Sequence, residues 1–149
     1  MPLVPLPTAP AETHHWQTPH SELWAWSPTE GMLATRARGR FDVDLVQKAI
    51  QCFEELGVST RHVDAFHDWE GVEAYTPEAR LLYTEWSKER RARITGSVHI
   101  LLASKLLAMG VAVANVVLKN TLNSYMTRAS FERERARYAS LPLPERVPR

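Results

Sequence analysis

Two stretches near the start of the chain alternate between apolar and polar residues. Residues 22–26, ELWAW, and residues 32–41, MLATRARGRF, show the period of two that a half-buried strand requires. The intervening residues 27–31, SPTEG, are typical of a turn. The pattern therefore predicts two antiparallel strands joined as a β-hairpin.

The next residues change from strand to helical periodicity. Asp42 offers an N-cap for a helix over 43–56, and Gly57 is predicted to end that helix. Residues 61–66 predict a third strand, and residues 67–71, HDWEG, are predicted to form a loop.

A second helix has a strong start signal at residues 76–78. Thr76 supplies a capping hydroxyl, Pro77 fits the first helical position, and Glu78 places an acid in the first turn. We predict that this helix ends near Arg93.

Residues 98–118, VHILLASKLLAMGVAVANVVL, are almost entirely apolar. The β-rich start and the Leu-, Ala- and Met-rich continuation predict a buried strand at 98–103 and a helix at 105–118. A membrane span is the alternative, but Lys105 would then lie near its centre, where a charge is costly. The helix is apolar on nearly all sides, which predicts that a subunit, a tail or the final helix covers its outer face.

Residues 121–127 predict a short edge strand, and residues 130–138 predict a final charged helix. The resulting order is ββαβαβα followed by an edge strand and a helix. Because strands alternate with helices after the hairpin, we predict an α/β domain over 21–139 with a mixed sheet of four to five strands. Prolines at both ends predict extended tails at 1–20 and 140–149.

Composition narrows the functional classes. The 149 residues and 44% hydrophobic content suit one domain with a real core, and the net charge of +1 gives no reason to expect nucleic acid. The single cysteine, Cys52, excludes an internal disulfide and a cysteine-based zinc cluster. The glycines are scattered, so no phosphate-binding loop is predicted, and we expect neither cofactor nor metal. The first ten residues lack the features of a secretory signal, and we expect a cytoplasmic protein.

The order of elements resembles the anti-sigma-factor-antagonist fold, the STAS superfamily, and particularly its branch similar to stage II sporulation protein AA. The resemblance spans roughly residues 22–138 and is carried by four segments: MLATRARG at 32–39, AFHDWEGVEAYTPEAR at 65–80, TEWSKERR at 84–91 and VHILLASKLLAMGVAVAN at 98–115. It implies a non-enzymatic regulatory or scaffolding module that binds other proteins. In well-understood members a Ser or Thr at the start of the helix after the third strand is phosphorylated; this chain lacks their Asp-Ser-Ser/Thr-Gly run.

The leading hypothesis is therefore a cytoplasmic module that acts through protein contacts and self-association. One alternative is a domain that binds a small molecule or lipid between the sheet and the 106–118 helix. The least favoured alternative is an enzyme centred on His67 and Asp68, because no nucleophile, base and oxyanion donor occur together in the sequence.

Two sets of residues are predicted to make protein contacts. The partner-binding residues lie around the predicted loop, where aromatic side chains are typical of interfaces: Asp68, Trp69, Tyr75 and Thr76. The oligomer interface lies on the apolar helix: Leu106, Met109, Val113 and Val117. Thr76 is also the candidate phosphorylation site, since a phosphate there would face the positive helix end, although Glu73 and Glu78 would repel it.

Overall fold

The computed structural model describes residues 13–147; residues 1–12 and 148–149 lie outside that description. The described residues form a six-stranded mixed sheet and five helices. The strands are β1 (His14–Gln17), β2 (Ser21–Trp26), β3 (Met32–Phe41), β4 (Asp64–Tyr75), β5 (Val98–Leu101) and β6 (Leu122–Tyr125). The helices are α1 (Val43–Thr60), α2 (Pro77–Arg90), α3 (Lys105–Leu118), α4 (Arg128–Ala139) and α5 (Leu143–Arg146).

The strands lie in the sheet in the same order as in the sequence. Strands β1, β2 and β3 pair antiparallel, whereas β3, β4, β5 and β6 pair parallel. Helices α1, α2 and α3 are the crossovers between successive parallel strands. Because such crossovers are right-handed, the three helices share one face of the sheet.

Two apolar clusters hold the layers together. The larger one fills the space between the sheet and α1, α2 and α3. The smaller one lies on the opposite face, where α4 packs against β5 and β6, and its buried members are Met32, Phe66, Leu101 and Phe131. The fold is therefore an α/β sandwich with three helices on one side and α4 on the other.

Several predicted elements are confirmed. The hairpin forms with Ser21 opposite Gly39 and Trp26 opposite Ala34. The backbone N–H of Leu45 donates to the carboxylate of Asp42 at 3.0 Å, so α1 begins at the predicted cap. Helix α3 has the predicted bounds, and β6 forms the predicted edge of the sheet.

The predicted end of α1 at Gly57 is wrong. The helix continues to Thr60, and Arg61 ends it in the left-handed conformation with φ of 54°. Its N–H donates to the carbonyl of Gly57, which is the usual arrangement at a helix end. Gly57 is buried, and a Cβ at this position would overlap the side chain of Ile94. The glycine therefore serves close packing between α1 and the segment before β5.

The predicted loop at 67–71 is also wrong, because these residues form the middle of β4. Strand β4 runs over 12 residues and pairs with the ten residues of β3. The register shifts between Arg36 and Arg38 and again between Gly39 and Arg40, and these irregularities accommodate extra residues of β4. Asp68 and Glu70 occupy one side of the strand and His67 and Trp69 the other, an alternation that a short sequence window does not distinguish from a loop.

The sheet has one strand more than the upper prediction. Residues 14–17, assigned to the proline-rich N-terminal tail, form β1 and pair with residues 22–25 of β2. The chain has no proline between Pro10 and Pro19, so nothing prevents strand pairing there. In the predicted C-terminal tail, residues 143–146 form the short helix α5. The remaining tail predictions at 1–12 and 148–149 lie outside the described residues.

Candidate functional site

Helix α3 presents an apolar stripe to solvent. Its five side chains are between 47% and 83% exposed and recur at the spacing of one helix face: Leu106, Met109, Val113, Val116 and Val117. Four of them are the predicted oligomer-interface residues, and Val116 adds a fifth. We call this set the α3 stripe.

The α3 stripe is a preformed surface because both ends of α3 are anchored. The hydroxyl of Ser104 accepts the backbone N–H of Leu107 at 3.4 Å at the N-terminus. At the other end, the side chain of Asn115 bonds both the N–H and the carbonyl of Leu122, each at 2.9 Å. Arg91, just after α2, donates to the carbonyl of Leu118 at 3.3 Å.

The inner face of α3 packs on the sheet and on the start of α2. Leu107, Ala114 and Leu118 belong to the larger core. Gly110 allows the ring of Tyr75 to approach the helix closely, since a Cβ at this position would lie 2.9 Å from that ring. Helix α4, one of the predicted covers, lies on the opposite face of the sheet and leaves the α3 stripe uncovered.

The predicted partner-binding residues do not form one surface. Asp68 and Trp69 are adjacent in β4, so their side chains point to opposite faces of the sheet. Trp69 is 5% exposed and lies in the larger core, where its ring is stacked on His67 with centroids 4.4 Å apart. The prediction that Trp69 is exposed for a partner is therefore wrong. Its apolar surface is used for packing between the sheet and the helices.

Thr76 caps α2 as predicted. Its hydroxyl accepts the backbone N–H of Ala79 at 3.2 Å, and Pro77 occupies the first turn. Both Thr76 and the preceding Tyr75 are half-buried. Of the predicted set, these two residues lie together where β4 passes into α2.

Asp68 lies in a charged groove on the other face, beside the carboxyl end of β5. It is opposite Leu101 in the sheet, and Arg128 at the start of α4 donates to both of its carboxylate oxygens at 3.0 and 3.1 Å. The groove has a volume of about 690 Å³. Charged side chains of β2, β3, β4 and the start of α4 line the groove.

A second charged group lines the same groove. The carboxylate of Glu22 lies 2.6 Å from the guanidinium of Arg38 and 2.6 Å from Nε2 of His15. Arg36 contributes a further cation, 3.8 Å from Asp68. The alternating pattern at 32–41 places Arg36 and Arg38 on the polar side of β3. No local pattern brings Arg128 to them, because 60 residues separate Arg128 from Asp68.

His67 and Asp68 do not form a common catalytic centre. The His67 ring is buried in the core, and its Nδ1 lies 2.6 Å from the hydroxyl of Thr35. Burial lowers the pKa of His67 to about 3, with nearby His99 and Arg90 adding to the effect. Asp68 faces the charged groove on the other side of the sheet. The two residues of the proposed enzyme centre therefore lie in separate environments.

The predicted location of a ligand pocket does contain a cavity. It lies between the sheet, α2 and α3, has a volume of about 60 Å³ and is lined almost entirely by apolar atoms. Drug-sized ligands occupy pockets of roughly 300 to 1,000 Å³. The cavity between sheet and helix is therefore too small for a lipid chain in this conformation.

Among residues 13–147, no group of three or more His, Cys, Asp or Glu side chains is arranged to hold a metal ion. No helix in this range combines the length and apolar character needed to cross a membrane.

Comparison with models of known protein families finds no match for the chain, and comparison with curated proteins finds no similar sequence. Function is therefore inferred from the fold, from the α3 stripe and from the place where β4 passes into α2. We call this place, formed by Tyr75 and Thr76, the β4–α2 corner.

Proposed function

We propose that this protein is a non-enzymatic interaction module that self-associates through the α3 stripe. The observation that carries the proposal is the exposure of five aliphatic side chains on one face of a firmly anchored helix. Exposed apolar side chains gathered on one face are typical of protein interfaces. Burying them against a second copy removes this surface from water.

A second copy fits the α3 stripe better than a membrane or a charged partner. The five side chains of the stripe are uncharged, and the one cation on α3, the exposed Lys105 in its first turn, falls well short of the basic cluster that an anionic lipid or a nucleic acid requires. It also lacks the Trp and Phe side chains typical of helices that lie in a membrane interface. The repeat 106, 109, 113, 116 matches the apolar seam of paired helices. Two copies related by a twofold axis would bury identical stripes against each other.

The test is the oligomeric state of full-length Val113→Glu, measured by light scattering and sedimentation. Val113 is exposed, so the substitution leaves the monomer fold intact and places a charge in the contact. We expect the wild type to be at least a dimer at tens of micromolar and Val113→Glu to be a folded monomer.

The matched control is Val58→Glu on α1. Val58 is also an exposed valine on a helix, but it lies outside the α3 stripe. This variant should keep the wild-type oligomeric state. A wild type that stays monomeric at high concentration, or a Val113→Glu oligomer as stable as the wild type, contradicts the proposal.

We also propose that the domain is of the STAS type and regulatory, with a partner protein contacting the β4–α2 corner. Support comes from the three β–α crossovers on one face of the sheet and from the half-buried position of Tyr75 and Thr76 at the start of α2. A phosphate on Thr76 would face the positive end of α2. Phosphorylation there would change the charge of this corner.

This part is tested by affinity capture from the native cell with Thr76→Glu and Thr76→Ala. Both variants lack the capping hydroxyl, but only Thr76→Glu adds a negative charge. We expect a partner retained by Thr76→Ala and lost by Thr76→Glu. If Thr76→Glu retains every partner of the wild type, the β4–α2 corner is not a partner-binding surface.

The alternative of small-molecule binding has one specific observation in its favour, the apolar cavity beneath α3. At its size it accepts a ligand of only a few non-hydrogen atoms. Native mass spectrometry of the purified protein distinguishes a co-purified ligand from a second copy by mass.

A further inference from the structure

Asp64, at the start of β4, is a buried carboxylate surrounded by hydrogen-bond donors. Its Oδ1 accepts the backbone N–H of Ser97 at 3.0 Å and the hydroxyl of Ser97 at 2.8 Å. Its Oδ2 accepts Nε2 of His62 at 2.9 Å and Nη1 of Arg146 at 2.9 Å. Burial alone would raise the pKa of Asp64, but the hydrogen bonds from His62 and Ser97 outweigh it and keep the pKa below its ordinary value.

A series of hydrogen bonds leads from Tyr125 through His99 and Ser97 to Asp64. An ionised carboxylate only accepts, so the Ser97 hydroxyl donates to Asp64 and its oxygen accepts Nε2–H of His99 at 2.9 Å. Nδ1 of His99 then accepts the hydroxyl of Tyr125 at 2.9 Å. Burial lowers the pKa of His99 to about 4, so its ring is neutral near pH 7. This series of hydrogen bonds therefore stabilises a negative charge on Asp64 without adding a positive one.

A positive charge beside Asp64 comes from Arg146, which follows it by 82 residues in the sequence. Its side chain is only 1% exposed. Nη1 donates to Asp64, and Nη2 donates to the backbone carbonyl of Glu30. We call the site formed by the Asp64 carboxylate and the Glu30 carbonyl the slot. It offers one acceptor to each terminal nitrogen of a planar guanidinium, which is how proteins recognise this group rather than an ammonium.

Gly31 leaves room for the segment that carries Arg146. A Cβ on Gly31 would lie 2.5 Å from Cδ1 of Leu143 and 3.6 Å from Nη2 of Arg146. The missing side chain and the φ of +70° at this turn open the slot toward the surface.

The segment at 141–147 is otherwise weakly attached. Helix α5 has four residues, no side-chain cap at Pro142 and no residue that is buried as a whole. A helix of this length is not stable without tertiary contacts. Arg146 and the contact of Leu143 with Gly31 therefore attach the segment to the domain, and losing them should loosen it.

We propose that the slot formed by Asp64 and the Glu30 carbonyl is a binding site for arginine side chains of a partner peptide, and that Arg146 occupies it as an internal competitor. When segment 141–147 leaves, the slot is open to a guanidinium supplied in trans. This site lies at the amino end of β4, apart from both the α3 stripe and the charged groove, and does not depend on their function.

The experiment uses the full-length Arg146→Ala variant and the probe Nα-acetyl-arginine amide, with binding measured by calorimetry. We expect Arg146→Ala to bind the probe at least about tenfold more tightly than the wild type, in which the chain's own arginine occupies the slot. Nα-acetyl-citrulline amide, which has nearly the same shape but no charge, should not bind. Asp64→Asn combined with Arg146→Ala should lose binding of the arginine probe.

A folded Arg146→Ala protein that does not bind the arginine probe, or that binds it no better than the citrulline probe, overturns the proposal. A second measurement covers the case in which Arg146→Ala does not fold. In the wild type, an excess of the arginine probe should speed hydrogen exchange of the backbone amides at 141–147, and the citrulline probe should not. Exchange that is unchanged by the arginine probe also overturns the proposal.

Discussion

The indole N–H of Trp69 donates to the hydroxyl oxygen of Thr35 at 3.1 Å inside the core, although 34 residues separate the two in the sequence. The same hydroxyl lies 2.6 Å from Nδ1 of His67. One threonine therefore satisfies polar atoms on two neighbouring aromatic rings, which allows Trp69 and His67 to be buried between the sheet and the helices.

We expect Thr35→Val to lower the free energy of unfolding by about 1 to 3 kcal/mol for each buried polar group left without a partner. Trp69 Nε1 and His67 Nδ1 are the two affected atoms. Thr35→Ser keeps the hydroxyl and should cost less. Urea denaturation of the two variants measures the difference, and equal stability would show that the hydroxyl does not stabilise these rings.

Thr76→Ala should lower the free energy of unfolding by about 1 kcal/mol, because the N–H of Ala79 loses the hydroxyl that caps α2. Thr76→Ser retains a capping hydroxyl and should lie close to the wild type. The measurement is again urea denaturation. If Thr76→Ala is as stable as the wild type, the cap contributes nothing to this helix.

Stability should fall as the pH is lowered from about 6.5 to about 4. Burial lowers the pKa of His67 to about 3 and that of His99 to about 4, from an ordinary value of 6.5. In this window the unfolded chain takes up protons on both rings and the folded chain does not, so folding becomes less favourable as pH falls. Each ring contributes a slope of up to about 1.4 kcal/mol per pH unit.

Substitution separates this effect from that of other groups. His67→Asn should reduce the slope by about half, because only the His99 ring then contributes. The carboxyl groups of Asp64 and Glu54 have lowered pKa values, that of Glu54 being about 2 because of hydrogen bonding with Arg93. Their stabilisation is lost progressively as the pH falls below about 5, so the slope between about pH 5 and 6.5 reports on the two histidines alone. A flat stability profile between pH 4 and 6.5 would contradict the assignment of both rings.

Self-association through the α3 stripe predicts that thermal stability depends on protein concentration. A contact made only by folded chains raises the melting temperature as concentration increases. We expect this dependence in the wild type and in Val58→Glu, and we expect it to disappear in Val113→Glu. If the melting temperature of the wild type does not depend on concentration, self-association through the α3 stripe is contradicted.

Local sequence signals account for the correct predictions. Asp42 and Thr76 each cap a helix by accepting an N–H three residues further along, so a short window contains both partners. The bounds of α3 follow in the same way from continuous helical residues between Ser104 and Lys119. The apolar character of both its faces predicted a cover for the outer face, and among the described residues that face is exposed, so a covering subunit stays a prediction.

Long-range pairing explains the incorrect predictions. The residues HDWEG have the composition of a loop, and pairing with β3 on one side and with β5 on the other holds them in β4. Strand β1 likewise depends on β2 as its template rather than on its own strand propensity. The charged groove depends on Arg128, which approaches β4 only after α4 has folded onto the other face of the sheet.

The sequence by itself determined the α/β class, the starts of α1 and α2 and the bounds of the apolar helix α3, because each depends on residues within one or two turns of each other. The tertiary structure alone decided that Trp69 is buried and that Asp68 faces a groove, since adjacent residues of a strand point to opposite sides of the sheet. It also decided that Arg146 reaches Asp64 across 82 residues. A sequence pattern does not encode such a distance, because the pairing exists only once the sheet has brought the start of β4 and the end of the chain together.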